Sequence, residues 1–130
     1  MSEVILEFPY FNNENENGIM LSGSSRGILD KLINYNKYYV QVTLYPSKSE
    51  LDYALEAPSR YSMVDVQFKV GRVKEFNPSN GKIYVEVDNE DNILPIKHGK
   101  LLPRMKVKKI IEGGVEKLEI VDIISLDILQ

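Results

Sequence analysis

The residues whose types and spacing come closest to chemistry are Gly23-Ser24-Ser25-Arg26-Gly27, a G-x-S-x-G pattern between a short apolar piece and an amphipathic stretch. In that pattern a serine on a tight turn acts as a nucleophile when an imidazole and an orienting acid stand behind it. The chain has one histidine, His98, in a basic segment with no acid placed to orient it. A hydrolase reading therefore lacks its base. The same segment can instead cap a helix, or hold a phosphate on free backbone N–H groups beside Arg26, although it lacks the lysine of a phosphate-binding loop. Capping, by Ser24 or Ser25, is the expected role.

Two acidic or amide-rich runs invite a metal reading. Asp88-Asn89-Glu90-Asp91-Asn92 begins like a calcium loop, but Ile93 stands where the sixth position needs glycine and Gly99 where the twelfth needs a bidentate acid. Asn12 to Asn17 has oxygens without a fixed spacing. Both runs are expected to be solvated turns. The absence of cysteine removes thiolate nucleophiles, cysteine-held zinc and iron–sulfur clusters, and one histidine leaves no imidazole pair. No catalytic, cofactor or metal residue is assigned, and a non-enzymatic protein is expected.

Charge carries the next signal. The net charge of -3 averages an uneven distribution: residues 1–59 sum to -4, residues 60–109 to +5 and residues 110–130 to -4. A basic middle can meet phosphates or pair with its own acidic flanks. Lys97, Lys100, Arg104, Lys106 and Lys108, with Lys69, Arg72, Lys74 and Lys82 on preceding strands and Tyr84 out of phase with the apolar positions beside it, are the parts of a single-stranded nucleic-acid site. Glu86 and Asp88 on the face of Tyr84 count against it.

These residues need elements to position them. Val4, Leu6 and Phe8 alternate into a strand that stops at Pro9, and Ile28, Leu29, Leu32 and Ile33 fall on one face of a helix of about ten residues. Tyr38, Val40, Val42 and Leu44 alternate with Tyr39, Gln41, Thr43 and Tyr45 in a strand with one buried face. Ser47 and Glu50 form a capping-box pattern at the head of a second short helix. From Met63 the pattern is β: Val64, Val66, Phe68 and Val70, a phase change at Gly71 of the kind a bulge produces, then Asn77 to Gly81 as a hairpin turn and Ile83, Val85 and Val87 as the partner strand. Ile93 to Ile96 reads as a short edge piece broken by Pro95, and residues 97–103 as a loop. Met105 to Ile111 and Lys117 to Leu129 then form two strands joined at Gly113-Gly114. In the last of them Leu118, Ile120, Ile124, Leu126 and Ile128 share a face, with Val121 and Ile123 apolar on the other.

The expected fold is α+β and predominantly β. An N-terminal α/β lobe over residues 1–59, with two short helices, packs on the core of a small antiparallel barrel or sandwich of the OB or SH3-like kind over residues 60–130. The leading function is an assembly or protein-interaction module that self-associates or takes a protein partner, with Tyr39, Tyr45, Val121 and Ile123 as interface residues. The alternative is single-stranded nucleic-acid binding. The abundance of Asn, Lys, Ile and Tyr suits AT-rich coding, such as that of a bacteriophage, for which a structural or accessory role is expected. With no basic leader and no apolar run of membrane length, a cytoplasmic setting, or the virion or host cytoplasm for a phage protein, is expected.

Overall fold

Alternation in the first residues gives β1 (Ser2–Glu7), with Val4 buried and Glu3, Ile5 and Glu7 exposed. The computed structural model describes residues 2–56 and 67–130. The helices expected in the N-terminal half are present as α1 (Ser25–Asn34) and α2 (Lys48–Glu56), and between them lies β2 (Gln41–Tyr45). Then come β3 (Lys69–Asn77) and β4 (Lys82–Val87), a 3-10 turn over Glu90–Asn92, α3 (Ile93–His98), β5 (Lys100–Glu112) and β6 (Val115–Leu129). The expected strand positions Val64 and Val66 lie outside the described residues.

The strands form one six-stranded sheet in the order β1-β4-β3-β2-β6-β5, mixed because β2 and β6 run parallel while every other pair is antiparallel. Here the expectation of a barrel or sandwich is corrected: the sheet is open, ending at β1 and β5. The reason is the placement of β2, which enters between β3 and β6 and so separates strands that a C-terminal barrel would have to join. Residues 2–56 and 67–130 thus share a sheet as well as a core.

The two faces are covered differently. On the inner face, Val42 and Leu44 of β2, Val73 and Phe76 of β3, Ile83 and Val85 of β4 and Leu126 and Ile128 of β6 pack with Leu29 and Ile33 of α1 in the main cluster. Full burial of a leucine such as Leu29 contributes about 1.5–3 kcal/mol. On the outer face, Leu51 and Ala54 of α2 cover Tyr45, with Phe68, Leu102 and Leu129 alongside. A central strand covered on both sides is buried on both sides, so Thr43 and Tyr45 are enclosed rather than outward.

Three local readings are refined. Pro95 does not break a strand. It sits in the first turn of α3, where the missing N–H has no helical partner to lose, and Ile96 reaches the core. The segment expected as a loop already belongs to β5 from Lys100, and Pro103 is tolerated because β5 is an edge strand. The phase change near Gly71 is a bulge in the β2–β3 pairing, where Val42 meets Gly71 and Thr43 meets Lys69, with Val70 as the extra residue.

The β5–β6 hairpin turns through Gly113 and Gly114, both at positive φ, as a two-residue connection of this type requires. Along it β6 uses two more residues than β5: the register breaks between Arg104 and Met105 and between Lys106 and Val107. The extra residues are Ile124 and Val121. Each bulge falls at an apolar doublet, Ile120-Val121 and Ile123-Ile124, whose first member is buried and second exposed. This corrects the reading of the last strand: Ile123 faces the core, and Ile124 does not share that face.

Candidate interaction surface

The G-x-S-x-G segment is a structural joint. Ser24 stands at the N-cap position of α1 in helical conformation and makes no side-chain capping bond. The hydroxyls of Ser22, Ser24 and Ser25 bond to one another instead, at 2.8 and 2.9 Å, and buried Ser25 Oγ accepts the Ile120 N–H at 3.0 Å. The anion at this helix entrance comes from the chain itself: Glu112 Oε1 accepts the Gly23 N–H at 3.0 Å. Arg26 donates to the Pro78 carbonyl and lies over the Phe11 ring at 4.6 Å. His98 is exposed on α3, and among the described residues no group of three or more metal-ligating side chains gathers.

The second polar constellation is buried. Asp127 Oδ1 accepts the hydroxyls of Thr43 and Ser125, each at 2.7 Å, while Oδ2 accepts Arg104 Nε at 2.9 Å and Nη2 at 2.7 Å. Arg104 Nη2 also donates to the Tyr45 hydroxyl at 3.3 Å. Each carboxylate oxygen thus has two partners, and the group ties β2, β5 and β6 together across the outer face. Tyr45 belongs to this interior network and is fully buried, which corrects its assignment as an interface residue.

The cations of the middle segment are dispersed, and four of the nine singled out, with Lys109 besides, pair with acids of their own chain. Lys74 pairs with Glu3 at 3.4 Å and Lys100 with Glu16 at 3.7 Å, both in the N-terminal acidic flank. Arg104 pairs with Asp127, and Lys109 with Glu116 at 3.4 Å, both in the C-terminal flank. Arg72 donates to Glu86 at 2.8 Å and stacks over the Tyr39 ring at 4.2 Å; the Glu86 bond holds its guanidinium above the ordinary arginine pKa. The remaining candidates are spread over several elements: Lys69 and Lys82 at strand starts, Lys97 on α3, and Lys106 and Lys108 side by side on one face of β5, all exposed. Tyr84 lies half-buried on the outer face opposite Ile5 and Glu75. No continuous cationic groove joins these positions, because β2, α2 and the buried Asp127 network lie between the β3–β4 group and the β5 group.

Two clefts flank β5. One of about 140 Å³ is lined by Ile19, Leu21, Pro103, Met105, Val107 and Leu118. The other, about 460 Å³, lies between α2, the loop around Asn15 to Asn17 and residues 102–105. Tyr10 borders both, and its phenol is pushed above the usual tyrosine value by burial and then by Glu16. At the rim of the larger one, Lys48 is raised by its bond to Asp52, a 3.0 Å ion pair within α2.

The surface that stands out is aliphatic. Along the β5–β6 hairpin, from its tip to the level of Arg104, Ile111 is 72% exposed, Val115 56%, Val121 51%, Ile124 43% and Val107 40%. Five large aliphatic side chains in water on one hairpin is the pattern of a contact surface rather than of scattered single exposures. Val121 was legible in the sequence; Ile111, Val115 and Ile124 were not, although the doublets at 120–121 and 123–124 carry the bulge signal. Tyr39 is exposed as expected, on the far side of the sheet over Arg72. Compared with known proteins, the chain matches no family model, no curated protein and no solved structure.

Proposed function

We propose that this chain is a non-enzymatic assembly or protein-interaction module that makes its contact through the outer half of the β5–β6 hairpin. The observation that carries the reading is the exposure of Val107, Ile111, Val115, Val121 and Ile124 along one hairpin, with Val107 and Ile111 on one face and Val115 on the other, on an element held at its far end by Glu112 on the Gly23 N–H. A hairpin fixed in this way presents its side chains with little ordering left to do on contact. Nucleic-acid binding draws less support: Arg72, Lys74, Lys100 and Arg104 each have a carboxylate partner within the chain, so phosphates would have to displace acids already in place.

The test is light scattering over a concentration series for the wild type, Ile111→Glu and Val121→Glu. The reading expects a mass above 14.9 kDa for the wild type, alone or with its protein partner, and loss of that association in at least one of the variants, both with unchanged circular dichroism. Association that persists in both variants would exclude the hairpin as the contact surface.

A further inference from the structure

β5 ends the sheet, and among the described residues no backbone hydrogen bond reaches its outer edge from another segment. Such an edge is a template for another strand. Pro103, without an N–H, bounds the usable part on one side, and the turn at Gly113 bounds it on the other. Resting on the reading of the hairpin as a contact surface, we propose that the occupant is a second copy of this chain, its β5 adding antiparallel across a two-fold axis at Lys109.

The register follows from symmetry and side-chain chemistry. With the axis perpendicular to the sheet, residues opposite each other must lie on the same face, so the axis passes through a residue and not between two. Centred on Lys109, Val107 of one copy meets Ile111 of the other, and Lys106 meets Glu112, each twice. The two Lys109 side chains also meet, but each carries Glu116 of its own chain at 3.4 Å, so the centre alternates acid and base. Centring on Lys108 sets two lysines opposite each other and puts Val107 against Lys109. Centring on Ile110 leaves Val107 opposite the turn and Ile111 against Lys109. Only the Lys109 register joins the exposed aliphatic pair and the opposite charges together, over the seven residues from Lys106 to Glu112. The lysines that ordinarily keep an edge strand alone here select one alignment. An interface of one added strand per copy is small, so the dimer is weak and concentration-dependent.

The absence of cysteine makes the test direct. Lys109→Cys places two sulfurs across the axis at strand-pair spacing, within reach of a disulfide. Under mild oxidation this variant is expected to give a covalent dimer at least tenfold faster than Lys97→Cys on α3 or Lys108→Cys on the opposite face. A second arm uses charge: Lys106→Glu and Glu112→Lys chains each place two like charges at the contact, so neither self-associates, whereas their mixture pairs opposite charges at both positions and assembles. Equal cross-linking of the three cysteine variants, or mixing without rescue, overturns the proposal. If wild-type scattering shows a dimer in that case, the interaction reading survives with a different interface; if it shows a monomer at every concentration, self-assembly fails too.

Discussion

Arg104 directs both Nε and Nη2 at a single oxygen of Asp127, at 2.9 and 2.7 Å, leaving the other oxygen to Thr43 and Ser125. Asp127 is 2% exposed, so removing the guanidinium strands a carboxylate in the interior. Arg104→Leu is expected to cost about 3–5 kcal/mol, and Arg104→Leu with Asp127→Leu considerably less than the sum of the two single changes. Urea denaturation of the singles and the double closes the cycle. Additive losses would mean that the pair is not coupled.

Gly71 faces a closer neighbour than any other glycine in the sheet. A Cβ there would lie 2.1 Å from the Glu86 carbonyl oxygen, backbone that is fixed by the β3–β4 pairing. Gly71→Ala is expected to destabilise by about 1–3 kcal/mol, while Gly27→Ala, with nothing within 4 Å of its Cβ and a place inside α1, should stabilise by about 0.5–1 kcal/mol. Denaturation midpoints moving in the same direction would contradict this.

Glu112 joins the hairpin tip to the entrance of α1. Glu112→Ala is expected to cost about 0.5–2 kcal/mol and to speed exchange of the Gly23 amide hydrogen, with Glu112→Gln intermediate because it keeps an acceptor and loses the charge. Unchanged exchange at Gly23 would place that amide's protection elsewhere.

Because five cations of the basic middle are paired within the chain and the others lie in no continuous groove, a labelled single-stranded oligonucleotide should keep its free polarisation at about 0.15 M ionic strength. Saturable binding that weakens steeply with salt would reverse the preference between the two functions.

Where side-chain period and turn chemistry agree, the elements were readable: β1 up to Pro9, α1 on Leu29 and Ile33, the β3–β4 turn at Asn77 to Gly81, and the Gly113-Gly114 connection. Sheet order was not. Nothing local to Gln41–Tyr45 says that it runs parallel beside β6, and that pairing is what opens the sheet and buries Thr43 and Tyr45. The acidic, basic, acidic charge order was visible, but which lysine meets which acid depends on strand register, as with Lys109 and Glu116. The apolar surface was half legible for the same reason. Two bulges three residues apart return the strand nearly to its starting phase, so Ile124 looks like core and Ile123 like surface when the spacing is taken as uniform.

The measurement closest to the central claim is residue-resolved amide hydrogen exchange at low and high protein concentration. Pairing along β5 predicts that outward amides between Lys106 and Glu112 gain protection as concentration rises, while those at the free edge of β1 stay unchanged. Identical exchange over residues 106–112 at all concentrations would contradict the assignment of this edge as the site of self-assembly.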